Sequence, residues 1–107
     1  MTSQIIGQMQ KEKPHQFLIL IGENIAKYRS KRKLSMEQLG LEVGLTRAHI
    51  HRIENGYNIT MLTILKLGIA LNVQPYKLLQ VGYELKKEEL EEFLIPKPKK
   101  TIPKKKK

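Results

Sequence analysis

Within "LTRAHIHRIENG" (45–56), Arg47, His49, His51 and Arg52 place four hydrogen-bond donors in six positions, interleaved with Ile50, Ile53 and the acidic Glu54. Donors at this density suit three chemistries: ligating a metal, catalysing a transfer, or contacting an external anion or polar surface. Spacing separates the three. His49 and His51 are two apart, so on a helix they face different ways, and a zinc site is not expected. The seven glycines (7, 22, 40, 44, 56, 68, 82) match no phosphate-binding loop. No cysteine nucleophile exists, and no serine–histidine–carboxylate spacing can be argued. Neither an enzyme nor a cofactor is expected. Contact with an outside surface remains. On a helix Ile50 and Ile53 share one face, and Ala48, His51, Arg52 and Asn55 gather on the opposite one. Arg47, in the first turn, points outward from the N-terminal end.

The elements that must hold this segment belong to a chain of 107 residues, the size of one small domain with tails. Apolar residues make up 40% of it, enough for one modest core. Without cysteine there are no disulfides, and a cytoplasmic setting fits. The strongly apolar run "FLILI" (17–21) falls far short of the ~20 residues of a membrane span. No signal-peptide layout accompanies it. No membrane association is expected. Net charge is +10, which points to an anionic partner. Seven of the lysines lie in "PKPKKTIPKKKK" (96–107), which has no acid, so residues 1–95 carry only +3. The charge total alone therefore does not identify the folded part as a nucleic-acid binder.

Apolar periodicity predicts an all-α domain. Residues 1–14 read as a flexible arm ending at Pro14. A first helix runs from His15 to Lys33, with Leu18, Ile21, Ile25 and Tyr28 on its inner stripe. "LSMEQLGLEVG" (34–44) is a second, capped by Ser35 and ended by Gly44. Thr46 caps a third that stops at "NG" (55–56), and Thr60 caps a fourth over 61–72. Pro75 opens a short fifth helix at 75–79. Residues 15–82 form the domain. An amphipathic sixth helix is expected over 83–95, carrying Leu85, Leu90, Phe93 and Leu94. Prolines 96, 98 and 103 forbid helix beyond it, which leaves 96–107 as a basic disordered tail.

The twenty-residue window 36–55 has apolar residues at its fourth, eighth, tenth, fifteenth and eighteenth positions: Leu39, Val43, Leu45, Ile50 and Ile53. Glycines occupy the fifth, where two helices must cross closely, and the ninth, where the chain turns sharply. This is the pattern of a DNA-binding helix-turn-helix. Residues 21–79, with "IGENIAKYR", "LSMEQLGLEVGL", "RIENG" and "ALNV" in order, resemble the phage-repressor and Cro type of that domain, the XRE family. The resemblance implies a five-helix repressor-like fold and a transcriptional regulator, usually a repressor. It implies a homodimer on double-stranded operator DNA, with the third helix in the major groove.

Roles follow position by position from the same resemblance. Arg47, Ala48 and Arg52 match base-reading positions, with the Ala48 methyl suited to thymine and the Arg52 guanidinium to guanine. His51 lies beside them as a further reader. Asn55, Gly56 and Lys33 match contacts to the DNA backbone. Arg29 and Glu54 match a partly buried ion pair linking the first and third helices. Met36 and Leu41 stand where the family more often has polar residues, and Leu41 hints at an extra contact surface.

Two further roles stay open. Such domains also serve as antitoxins or other protein-interaction modules, although the stretch after Tyr83 is short for a toxin-neutralising segment. The lysine tail alone could give nonspecific nucleic-acid binding. The 83–95 helix either packs on the domain or dimerises, the latter with help from Ile19 and Leu20, which lie off the first helix's core stripe. No ligand-binding domain is present, so no small-molecule effector is implied.

Overall fold

Each long helix starts where a side chain supplies the acceptor that its first turn lacks. In the computed structural model, which describes residues 15–93, His15 accepts from Phe17 N–H and opens α1 (Gln16–Lys31). Ser35 opens α2 (Met36–Val43) with a reciprocal capping box: its hydroxyl accepts from Gln38 N–H, and the Gln38 side chain accepts from Ser35 N–H. Thr46 caps α3 (Arg47–Glu54), and Thr60 caps α4 (Met61–Leu71). Pro75, which has no N–H to satisfy, starts α5 (Pro75–Leu78).

The helix ends share a second device. After each of the first four, one residue turns left-handed and the next N–H reaches back to a carbonyl five residues earlier. Lys33 (φ 60), Gly44 (φ 76), Gly56 (φ 98) and Asn72 (φ 60) are those residues. The bonds are Leu34 N to Arg29 O, Leu45 N to Gly40 O, Tyr57 N to Arg52 O and Val73 N to Gly68 O. The chain therefore turns sharply after each helix and closes the bundle.

Ile21 and Ile25 of α1, Leu39 and Val43 of α2, Ile50 and Ile53 of α3, Ile64, Leu67 and Leu71 of α4 and Leu78 of α5 form one core. Tyr28 packs at its edge, while Leu18 is only half-buried and lies outside it. Asn24 ties α1 to the end of α5 by donating to Lys77 O and Leu78 O at 2.8 and 3.1 Å. Arg32 donates to Ala70 O at the end of α4. Among the described residues no helix is long and apolar enough to cross a membrane.

The C-terminal segment differs from expectation. The amphipathic α-helix over 83–95 is absent from its described part; residues Lys87–Phe93 form a 3₁₀ helix instead. Leu85 and Leu90 stay exposed, at 74% and 60%, so no apolar face closes on the domain. Glu89 organises the segment. One carboxylate oxygen accepts from Lys86 N–H at 3.2 Å, and the other lies 2.6 Å from His15 Nε2 and accepts from Tyr83 Oη–H. Tyr83 also stacks edge-on against His15. This latch fastens the segment to the start of α1 and takes the place of helical packing. The arm (1–14), the tail (96–107) and the last two residues of the expected sixth helix lie outside the described residues.

The Tyr83 hydroxyl, and after it His15, hold the Glu89 carboxyl below its ordinary range. A depressed carboxylate stabilises above its unfolded-state value, and that contribution is lost as pH falls through the folded value. Acidification through and below the ordinary carboxylate range should therefore free residues 83–93 while the five-helix core stays folded. Resonances of Tyr83 and of core methyls such as Ile25 report the two events separately. An acid transition at Tyr83 that is unchanged in Glu89→Gln would refute this assignment.

Candidate nucleic-acid interface

The segment from α2 to α3 is built around two glycines that act differently. A Cβ on Gly40 would lie well inside contact distance of the Leu45 carbonyl oxygen, a main-chain atom that cannot swing away. Gly44 has open space around it but a left-handed backbone. The first lets the turn press against α2; the second makes the turn. Leu39, Val43 and Ile50 then close the angle between the helices, with Leu45 packed against them.

The inner side of α3 is fixed at several points. Ile50 is fully buried and Ile53 nearly so. At Gly22 of α1, an added Cβ would stand 2.5 Å from Ile53 O and 2.6 Å from Glu54 O, so α1 touches the main chain of α3 directly. Beside that contact, Arg29 Nε donates to Glu54 Oε2 at 2.6 Å and Nη2 to Oε1 at 3.0 Å. Arg29 Nη1 donates to Leu34 O at 2.8 Å, which joins the α1–α2 turn to the pair. The side chains are 15% and 4% exposed, so this is a desolvated, two-pronged pair that fixes geometry as well as charge. The Glu54 hydrogen bond holds the Arg29 guanidinium above its ordinary value despite burial. Glu54 thus sits neutralised behind a cationic surface.

On the outer side, Arg47, Ala48, His51 and Arg52 are all exposed. None of the three polar ones makes a side-chain hydrogen bond or ion pair among the described residues. Asn55 is exposed too, but one of its amide hydrogens is used on His51 O at 2.7 Å, which leaves the other free. Gly56 is buried, and its N–H is engaged by Ile53 O. Lys33 stands exposed at its left-handed position, next in the chain to Leu34. The fold brings Arg47, Ala48, His51 and Arg52 together on α3; Lys33 enters from the α1–α2 turn.

Three positioning residues escape a reading of apolar periodicity: Gly22, Asn24 and Arg32. Gly22 left one trace in the sequence. It stands three residues before Ile25 and seven before Arg29, on the buried face. Asn24 and Arg32 act on main-chain carbonyls far along the chain, and no local pattern marks such bonds.

A helix seated across a glycine turn on its neighbour, with its long cationic side chains unengaged on the open side, defines a helix-turn-helix DNA-binding module. The chain belongs to the helix-turn-helix family, whose model matches residues 25–78, and within it to the phage-repressor and Cro type. It is similar to the crystal structure of the restriction-modification controller protein C.AhdI from Aeromonas hydrophila, with 32% identity and a TM-score of 0.58 over 60% of this chain and 98% of that one. It is also similar to the hypothetical transcription factor NHTF from Neisseria, with 28% identity and a TM-score of 0.59 over 66% of this chain and 85% of that one. No curated protein matches it at a significant level. The family and these neighbours make it a DNA-binding transcriptional regulator.

Proposed function

We propose that the chain is a sequence-specific transcriptional repressor that binds a near-palindromic operator as a homodimer and reads each half-site with α3. The observation that carries the reading is the outward row on α3. Arg47, Ala48, His51 and Arg52 are exposed while Ile50, Ile53 and the Arg29–Glu54 pair immobilise the same helix from behind. Base-edge contacts need rigid geometry; phosphate contacts need mainly charge. Arg52 suits a two-pronged contact to guanine and the Ala48 methyl a contact to thymine. Lys33, Asn55 and the turn at Gly56 serve the DNA backbone. Two-fold symmetry would set the half-sites about 34 Å apart, one turn of the duplex. The similarity to a controller protein and to a transcription factor supports regulation as the role.

The test separates the folded reader from the basic tail. Binding sites are first selected from a random DNA pool, and affinity is then measured by fluorescence anisotropy at several salt concentrations. Arg52→Ala should cost about 1–3 kcal/mol on the selected site and much less on random DNA. Deleting residues 96–107 should weaken binding to every sequence alike, and should flatten the slope of log K against log salt by ~0.9 for each phosphate that the tail no longer neutralises. Equal losses for Arg52→Ala on both DNAs would reduce Arg52 to a phosphate contact. Loss of sequence preference on tail deletion alone would overturn α3 as the reader.

A further inference from the structure

The inner face of α4 is fully used: Ile64, Leu67, Ala70 and Leu71 are buried, with Gly68 close against Val73 O and Pro75. The outer face of the same helix is also apolar. Met61, Leu62, Leu65 and Ile69 are 63%, 60%, 50% and 81% exposed, and Tyr76 of α5 adds a ring at 63%. Of these α4 positions only Lys66 carries charge. A helix that is apolar all round belongs in an interior, and contiguous patches beyond a few hundred Å² mark contact sites. No other surface of the described domain concentrates apolar side chains in this way. Ile19 and Leu20 of α1, expected to supply such a surface, are half-buried.

We infer that this α4 face is where two copies of the chain meet, an inference that rests on the homodimeric reading above and gives it a location. Three observations favour a second copy. The first is shape. Ile69 stands as a ridge between two open grooves, one of about 650 Å³ bordered by Tyr28, Gly68 and Pro75, the other of about 540 Å³ bordered by Arg32, Glu42 and Ala70. A two-fold contact must be self-complementary, and a ridge beside a groove of its own width meets that condition when two α4 helices cross. Charge is the second: copies that each carry +10 repel, so they approach best where charge is sparsest, and the α4 face is that place. The third is independence from the reader, because the exposed α4 side chains share none of the residues that form the outer row of α3. A dimer joined at α4 therefore leaves both reading helices open.

The test is sedimentation equilibrium of the full chain over a concentration series, free and on the selected DNA site. Ile69→Glu should weaken dimerisation about thirty-fold or more, as removal of a central apolar anchor does. Leu41→Glu changes charge identically at a residue of α2 that is 78% exposed, and it should dimerise like the unaltered chain. Leu65→Gln, which adds no charge, should weaken dimerisation in the same direction. Circular dichroism should show all three folded, because the altered side chains are exposed. If the unaltered chain is dimeric and the two α4 variants stay dimeric, the face is wrong and the homodimeric reading survives. If the unaltered chain is monomeric both free and on its DNA site, both fail, and a different protein becomes the occupant of the face. Loss of dimer in Leu41→Glu as well would assign the effect to charge rather than to the α4 face and would overturn the inference.

Discussion

Arg29→Ala should destabilise the domain by about 3–5 kcal/mol, the range for removing one partner of a buried pair. The cost is mainly that of an abandoned charge. Glu54, 4% exposed at its side chain, would keep a carboxylate that neither water nor a cation can reach. The Leu34 carbonyl loses its donor as well, so the α1–α2 turn loosens with the α1–α3 joint. Chemical denaturation measures the loss. Combining Arg29→Ala with Glu54→Gln should recover part of it, because a neutral amide tolerates burial better than an unpaired anion. Strictly additive single and double mutants would show that the two side chains do not act as a pair. The same cycle followed by DNA binding is informative, since α3 depends on this joint for its seat.

Gly40→Ala should be nearly as damaging, by a different route. Overpacking by one methyl typically costs about 1–3 kcal/mol, and here the obstacle is the Leu45 main chain rather than a flexible side chain. Relief requires α2 to move away from the turn, and α3 must follow. Affinity for the selected DNA should therefore fall further than the loss of folded protein explains, measured where the variant is still folded. Gly44→Ala is the comparison. It meets no neighbour but must hold a left-handed backbone, which costs about 1–2 kcal/mol for a residue with a Cβ. Thermal melts of the two variants separate steric from conformational strain. A neutral Gly40→Ala would contradict the close crossing.

Much of the fold was legible because its signals are local. Ser35, Thr46 and Thr60 stand where helices need caps, and Gly44 stands where α2 must stop. The twenty-residue spacing placed Ile50 and Ile53 inward, and the outer row of α3 followed from them. The ion pair needed the family resemblance, because twenty-five residues separate Arg29 from Glu54 and no periodicity links them. The C-terminal segment misled for a physical reason. "ELKKEELEEF" has helix-forming composition, but Glu89 turns toward His15, seventy-four residues away, and that tertiary bond shaped a 3₁₀ turn instead. The left-handed positions at Lys33 and Asn72 were illegible too, because neither residue is a glycine and only the closing bonds to Arg29 O and Gly68 O show the turn.

The division of α3 into a fixed inner side and an unengaged outer side has an evolutionary corollary. Arg47, Ala48, His51 and Arg52 contribute nothing to the core and bond to nothing else described, so replacing them leaves folding nearly unchanged, as exposed substitutions usually do. Operator preference can then drift, duplicate and diverge while the scaffold is inherited intact. A chain of this kind can change the genes it answers to by altering four side chains, and it need not pass through an unfolded ancestor to do so.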